Sequence, residues 1–442
     1  MNVPAQAVDV VRRLRERNFP AWWVGGAVRD RLLGREPEEY DVATAAAPAD
    51  IIRIFRSELG CTTLEVGRAF GVVRVQYEGR WFEIATLRSD QGYSDRRHPD
   101  RVEYGADPRL DAARRDFTVN ALFEDPLTGE ILDFTGGRAD IEARVLRAVG
   151  DPLERFAEDH LRKLRAVRFA AQLGFAVDGA TWDAIVADTA LDVSPERIQE
   201  ELLKMLTGPA PRQALKLLRE SGLLRVFLPE VDDMAGVAQP PQFHPEGDVF
   251  THTLLMFELA EKPMPPLLAL AVLLHDVGKP PCADASFQDG RICFPSHEAV
   301  GAGIAENVLR RLRFSNDVVD AVSALVREHM RIKDAPNMRK ARLVRLVADP
   351  LFPIHLELHR LDCSASHGKL EVHDFLAQRY REHLEAPVLP EPLIDGHDLI
   401  DMGLSPGPIF GKILGEVREM QLDGSINSRD EALAAAHRLM NA

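Results

Sequence analysis

Three acidic side chains near the start of the chain have the types and spacing to handle a polyphosphate. Glu39 and Asp41 flank Tyr40 in EYDVAT. If residues 39–43 form a strand, side chains alternate between faces, and the two acids point the same way, about 7 Å apart along the strand. Carboxylates so placed can hold Mg²⁺ ions around a triphosphate and an attacking hydroxyl. A third acid, Glu83, lies in RWFEIATLR between Phe82 and Ile84. A carboxylate between apolar neighbours calls for a metal, a basic partner or a strand position facing water. Upstream, Gly25-Gly26 separates strand-like AWWV from helix-like AVRDRLLG, with Arg29 and Asp30 on the first helical turn. Paired glycines at such a junction let backbone approach phosphates and expose amide donors. Glycine turns are common, and so are paired acids on an edge strand. Their conjunction is what points to phosphate chemistry.

A second set of residues suits a transition metal. His252, the adjacent pair His275-Asp276, His297, His329 and Asp362 follow one another through sequence with helical spacing. Histidine with carboxylate favours Mn, Fe, Ni, Co or Zn over Ca. A single helical histidine is ordinarily a packing residue. An adjacent His and Asp inside apolar LLHDVGKP is costly to bury without a ligand. Lys279 follows the pair and could neutralise a phosphate. His355 and His359 share a helical face with Asp362, and ordinary packing accounts for both.

The elements that must carry these residues fall into blocks. Residues 1–140 mix strand and helix signals: AWWVGGAVRDRLLG reads as strand, glycine turn and helix, and FGVVRVQYEG and RWFEIATLR read as two strands joined by a short turn. Residues 141–235 are helical, QPPQFHPEG breaks the pattern as a linker, and from about residue 248 the chain is again almost all helix, within a block over 236–385. A proline-rich break, EAPVLPEPLIDG, introduces a small helical tail over 386–442. The expected fold is multidomain: an α/β head with a small mixed β-sheet, a helical neck and body, an all-helical metal-binding bundle and the tail.

Bulk properties narrow the possibilities. A chain of 442 residues exceeds one ordinary domain. It has no apolar run long enough to span a membrane. Its start reads as an amphipathic helix without the features of a signal peptide, so cytoplasm is the expected location. Cys61, Cys282, Cys293 and Cys363 show no CxxC spacing and read as reduced, mostly packed thiols. The net charge of −15 does not suggest nucleic acid, although a binding face needs only local positive charge. Arginines cluster at Arg96, Arg97 and Arg101, at Arg114 and Arg115, and at Arg162, Lys163, Arg165 and Arg168. Taken singly, most such clusters read as solvated faces.

GGAVRDRLLG, EYDVAT, RRDFTVNAL (114–122) and EDHLR (158–162) resemble, in order and spacing, the motifs of class II tRNA nucleotidyltransferases and bacterial poly(A) polymerases. The resemblance extends over essentially the whole chain. It implies that Asp41 and Glu39, with Glu83, serve the catalytic Mg²⁺ ions. It also implies that Gly25, Gly26, Arg29, Arg114, Arg115, Asp116 and Asn120 bind the nucleotide. Guanidinium groups suit phosphate, and Asp116 and Asn120 suit sugar hydroxyls. Asp159 and Arg162, one helical turn apart, would read the Watson–Crick edge of C and of A. The implied partners are tRNA, CTP and ATP. The family usually has Asp-x-Asp where this chain has Glu39, one methylene longer. SDQGYSDRRHPDRVEYG (89–105) resembles the flexible loop of enzymes that complete CCA or add A, which CC-only enzymes shorten.

The second set resembles the HD phosphohydrolase superfamily. The resemblance implies His252, His275, Asp276 and Asp362 as primary ligands of Mn, Ni, Fe or Co, with His297 and His329 on a second metal or on phosphate. The expected chemistry is metal-dependent hydrolysis of phosphate esters, such as cyclic or 3′ phosphates at damaged RNA ends. Rival readings are a poly(A) polymerase, or an HD phosphohydrolase whose head has become an inactive RNA-binding module. A nucleotide-signalling enzyme of the alarmone type fits less well, because it carries its HD domain ahead of its synthetase.

Overall fold

In a computed structural model, residues 3–66, 71–91, 101–105, 107–283, 287–288, 291–385 and 391–440 are described. They divide into two compact units, Met1–Phe227 and Leu228–Ala442. The first unit is built on AWWV. These residues form β1 (Ala21–Val24), whose Trp23 is buried against the Tyr40 ring with centroids 4.7 Å apart. The other strands of its sheet are β2 (Asp41–Thr44), β3 (Thr62–Val66), β4 (Val72–Tyr77) and β5 (Arg80–Thr86). A further hairpin, β6 (Arg88–Gln91) and β7 (Arg101–Tyr104), stands apart, and β8 (Leu122–Glu124) and β9 (Ile131–Asp133) complete the sheet. Its order is β3-β4-β5-β2-β1-β8-β9, mixed because β2 runs parallel to β5 and every other pair is antiparallel.

Two details of the sheet set the site. The β4–β5 hairpin closes on Glu78 and Gly79, with φ of 47° and 83°. Two left-handed residues give the turn whose twist matches the flanking strands. The resulting register places Arg74 opposite Glu83. The expected strand over residues 39–43 begins later, at Asp41. Antiparallel pairing with β1 stops at Val24 opposite Asp41, because Gly25 turns to φ +68° and opens the helix Gly26–Leu32. Glu39 therefore has no ladder partner there. It remains exposed and Tyr40 buried, so the expected alternation of faces survives outside the strand.

In SDQGYSDRRHPDRVEYG the hairpin pairs Arg88 with Tyr104 through Gln91 with Arg101; Arg96 and Arg97 lie outside the described residues. The remainder of the first unit is mainly helical, with one two-residue parallel pair, Val145–Leu146 with Ala176–Val177. The basic cluster on the helix Leu161–Leu173 is not a solvated face. Lys163 has no exposed surface, and Arg168 is 8% exposed. The Lys163 ammonium donates to the Asp188 carboxylate at 2.9 Å and to the carbonyls of Asp188 and Ala190 at 2.6 and 3.0 Å. Its alkyl chain packs while its charge ties down the turn after the helix Gly179–Ala187.

In the second unit PLLALAVLL forms the helix Pro266–Leu274, buried at every residue from Leu268 to Leu274. A helix apolar on all sides is a core helix, and this one delivers His275 and Asp276 directly from its end. The helices Val249–Leu259, His297–Arg311, Asn316–Glu328 and Phe352–Ala365 bring the other histidines and Asp362. Helix dominates the unit, but the all-helical expectation meets a short strand pair, Phe287–Gln288 with Arg291–Ile292, and an isolated bridge between Ala238 and Asp248. After residues 386–390 of EAPVLPEPLIDG, which lie outside the described residues, the tail forms its own core around Leu399, Ile413, Val417 and Ala436. The cysteines are free; Cys282 and Cys363 are buried, whereas Cys293 is exposed. No helix among the described residues is long and apolar enough to cross a membrane.

Lys163→Met keeps the packed alkyl volume and removes the ammonium from its three acceptors. It is expected to destabilise the first unit by about 1–3 kcal/mol, the cost of stranding polar groups that were hydrogen-bonded. Urea unfolding followed by tryptophan fluorescence reads the change, because all four tryptophans lie in that unit.

Candidate active site and metal centre

At the start of the central strand β2, Glu39 and Glu83 flank Asp41. Burial pushes the half-buried Asp41 carboxyl up to about 6, Glu83 and Glu39 push it the same way, and Arg115 opposes them. Glu83 itself is half exposed and lies 3.7 Å from Arg74, so its place between Phe82 and Ile84 is an outward strand position beside Asp41. Crowded oxygen donors that hold a proton too tightly suit a hard divalent cation, which would relieve their repulsion. The donor set fits Mg²⁺.

Beside the acids, Gly25 answers a packing demand as well as a turn. A Cβ there would stand 3.3 Å from Nη1 of Arg115 and 3.8 Å from the Asn120 carbonyl oxygen. Arg115 donates to that same carbonyl at 3.2 Å and forks onto Asp111 at 3.1 and 3.0 Å. Arg114 also donates to Asp111, at 2.9 and 2.5 Å. Asp111 did not stand out in the sequence. It is buried, and although burial favours the neutral acid, the two guanidinium groups hold its carboxyl below the ordinary value. The arginine pair is thus pre-aimed from one buried anion. Arg29, expected at the nucleotide, is 8% exposed and donates to Asn120 at 2.6 Å and Asp30 at 2.8 Å. Its guanidinium is thus engaged by Asn120 and Asp30. Asp116 accepts from the Phe117 amide at 2.8 Å, from Asn120 at 3.3 Å and from Arg165 at 2.8 Å.

Asp159 and Arg162 do not form a helical pair. Asp159 has extended geometry, φ −153° and ψ 107°, after the helix Pro152–Glu158, and the next helix begins at Leu161. Arg162 donates through Nη1 to Glu158 at 2.5 Å and the Arg155 carbonyl at 2.9 Å, and through Nη2 to the Arg114 carbonyl at 3.2 Å. Asp159 is instead gripped by both Nη atoms of Arg197, at 3.1 and 2.7 Å. Arg197 escaped the sequence reading, since its helix Pro195–Leu206 looked like packing alone. Arg114, Arg115, Asp116, Asp159, Arg162, Arg165 and Arg197 line one open pocket of about 330 Å³. Of the nucleotide residues named from sequence, Arg114, Arg115, Asp116, Asp159 and Arg162 therefore meet at one place, with Arg165 and Arg197 added, whereas Gly25, Gly26, Arg29 and Asn120 lie outside this lining.

The second unit brings together the six residues that the HD resemblance named around its metals. Two donor groups share Asp276: His252, His275 and Asp276, and Asp276, His297 and His329, each with ligand atoms within 4.8 Å of one another. Gly278 is required here, because a Cβ would stand 2.1 Å from the His297 carbonyl oxygen. Nε2 of His252 and of His275 come within 3.2 Å of Asp362 and 3.1 Å of Asp276, yet both are buried without a hydrogen bond. Orphaned imidazole nitrogens facing carboxylates fit a divalent transition metal. Burial opposes charge on His252, but the Asp362 and Glu246 carboxylates raise it to about 9, whereas burial and His275 bring His329 down to about 3. Lys279 lines the pocket, but its ammonium is bound to Asp276 at 2.6 Å and Gln239 at 2.7 Å. His355 and His359 pack against the Glu328 carbonyl and Cys363. The sequence reading missed Gln239, His244 and Glu246, all in the segment taken for a linker; His244 and Glu246 form a third donor group with His252. A His-Pro-Glu run six residues ahead of a ligand histidine was the available signal.

Residues 21–147 match the poly A polymerase head domain, residues 174–234 the probable RNA and SrmB-binding site of polymerase A, and residues 249–351 the HD domain. Sheet, arginine-lined pocket and histidine centre thus define a nucleotidyltransferase head joined to an RNA-binding region and an HD domain. The CCA-adding enzyme of Lactobacillus helveticus (strain DPC 4571) is 32% identical over 435 residues, 97% of this chain and 95% of that protein. This chain belongs to the CCA-adding enzyme family of tRNA nucleotidyltransferases. The CCA-adding enzyme of Geobacillus kaustophilus (strain HTA426) is 42% identical over 226 residues, 51% of this chain, and that match spans about half the relative's length, 54%. The crystal structure of the Bacillus stearothermophilus CCA-adding enzyme in complex with CTP superposes with a TM-score of 0.74 and 29% identity, covering 100% of this chain and 98% of that one.

Mn²⁺ or Ni²⁺ added to chelator-stripped protein is expected to raise the melting temperature of the second unit. A free ion at a hundredfold excess over its Kd adds about 2.7 kcal/mol. Because Asp276 belongs to both donor groups that would hold it, Asp276→Ala is expected to abolish the shift, as read by scanning calorimetry; an unchanged shift would place the ion elsewhere.

Proposed function

We propose that this chain adds CCA to the 3′ end of tRNA from CTP and ATP, without a nucleic acid template. The observation that carries the reading is the pocket in which Asp159 and Arg162 stand beside Arg114, Arg115 and Asp116. The CTP bound by the Bacillus stearothermophilus relative supports it. Asp41, with Glu39 and Glu83, would hold Mg²⁺, which when bound supplies Lewis-acid polarisation of the phosphates and of the attacking hydroxyl. Arg114 and Arg115, braced by Asp111, meet the triphosphate with charge-assisted donors. Asp116 and Asn120 meet the sugar.

Base choice falls to the pair at the start of the neck helix. Arg162 retains Nε–H and one N–H of Nη2 beyond its three protein acceptors. These can donate to the acceptors of cytosine, and Asp159 can accept from an exocyclic amine. Cytosine and adenine both present such an amine, so a small rotation of the pair serves both. Arg197 holds both oxygens of Asp159 and orients it as an acceptor. The head and neck occupy roughly residues 1–235, and contact with tRNA follows shape and backbone rather than sequence.

For the HD centre we read a phosphohydrolase in residues 236–385, with His252, His275, Asp276 and Asp362 as ligands of Mn, Ni, Fe or Co and with His297 and His329 beside them. Its opening, about 570 Å³, carries Lys333 and Lys369 beside Asp276, His297, His329 and Asp362 and suits an anionic phosphate ester. Cyclic or 3′ phosphates at RNA ends match the substrate of the head.

End-mapped extension checks the first reading. Transcripts lacking CCA, ending in C and ending in CC, given CTP and ATP with Mg²⁺, are each expected to grow and stop at CCA. Asp41→Ala is expected to lose about 10²–10³-fold or more, the scale on which one preorganised electrostatic group acts. Growth only from CC would make it an A-adding enzyme, and long A tails a poly(A) polymerase. For the second site, 2′,3′-cyclic AMP with Mn²⁺ or Ni²⁺ is expected to be hydrolysed by wild type and not by His275→Ala; no turnover with any metal would remove the phosphohydrolase.

A further inference from the structure

The four histidines of the HD centre are not aimed in the same way. Nδ1 of His275, His297 and His329 lies 3.0, 2.8 and 2.6 Å from the carbonyl oxygens of Val272, Phe294 and Val326, each three residues earlier in the chain. His252 has no such arrangement. The equivalent carbonyl, that of Val249, accepts the Thr253 hydroxyl at 3.1 Å. Nδ1 of His252 instead lies 2.6 Å from Oε1 of Glu246, which is also 2.9 Å from Nδ1 of His244. The Glu246 side chain is only 7% exposed, and its Oε2 is buried without a partner. The loop carrying it is fixed at both ends of Asp248, which accepts from the Thr251 amide at 2.7 Å and the Gly236 amide at 2.6 Å.

We propose that Glu246 is the positioning residue of this metal centre: its carboxylate holds the proton of His252 on Nδ1 and turns Nε2 toward Asp362 and His275. The inference rests on the reading of His252 as a metal ligand. A carboxylate behind an imidazole fixes its tautomer and makes it a stronger donor than a backbone carbonyl does. Of these four histidines, His252 is the one whose Nδ1 faces a side chain rather than a backbone carbonyl. Glu246 lies ahead of the matched HD region, residues 249–351, so the segment before the domain completes the centre. His244 braces the same oxygen and lines the opening.

The test is calorimetric titration of the full chain with Mn²⁺, counting the ions that Asp276→Ala no longer takes up. Glu246→Leu removes the acceptor and is expected to weaken that uptake about 10–100-fold. Glu246→Gln leaves a neutral acceptor like the carbonyls behind the other histidines. It is expected to lose less, roughly three- to tenfold, with the melting midpoint of the metal-free protein unchanged. Wild-type affinity in Glu246→Leu would overturn the proposal. Should that variant not fold, Glu246→Gln decides, and undiminished affinity overturns it. If wild type takes up no more Mn²⁺ than Asp276→Ala, the metal reading itself falls; if it does and the Glu246 variants match it, only the role of Glu246 falls.

Discussion

Asp116 occupies a position where burial alone would return its carboxylate to the neutral acid. With 10% of its side chain exposed, it stays charged because Arg165 donates to one oxygen while the Phe117 amide and Asn120 donate to the other. That ion pair joins the segment leading into β8 to the neck helix Leu161–Leu173. Asn120 passes the constraint to Arg29 on the glycine-initiated helix. Arg29, Arg165 and Arg168 then meet over one ring, with guanidinium carbons 5.3, 5.1 and 4.1 Å from the centroid of Phe169. Cation–π contacts of this kind strengthen when desolvated. One connected set of charges therefore ties Asp116 and Asn120 to the neck helix and to the glycine-initiated helix, and displacing Asp116 would disturb both.

The two candidate centres use opposite electrostatic logic. In the head, oxygen donors repel one another and lift the Asp41 carboxyl to about 6, so a hard cation completes the set. In the HD centre, burial and neighbouring histidines hold His329 neutral, while carboxylates keep His252 basic. A softer cation held by nitrogen and oxygen answers that arrangement. The two donor sets thus fit different classes of cation.

Much of this was legible in the sequence because chemistry and local geometry coincided there. AWWVGG gave a strand and a turn from residue type alone, and LLHDVGKP carried its ligand pair at the end of an apolar helix. Motif order then fixed Arg114, Arg115, Asp159 and Arg162 as neighbours. What stayed hidden depended on contacts between distant segments. Arg197 lies 38 residues from Asp159 and has the helical spacing of any surface arginine. Asp111 is one acid among many until two guanidinium groups close on it. Lys163 and Arg168 read as solvated because burial of a charge is set by its partners, not its neighbours in the chain. QPPQFHPEG read as a linker because its prolines exclude regular structure, which says nothing of where its His and Glu point. Strand β2 started two residues late because its partner ends at a glycine.

The central claim is that protein side chains, not a template, choose the nucleotide. Single-turnover incorporation of CTP, ATP, UTP and GTP onto a transcript ending in C, compared for wild type and Arg162→Ala, tests it most directly. The account predicts that wild type takes CTP and that the variant loses discrimination along with rate, the four nucleotides drawing together. A variant that slows equally for all four, and keeps the wild-type preference, would contradict it and leave Arg162 a packing residue.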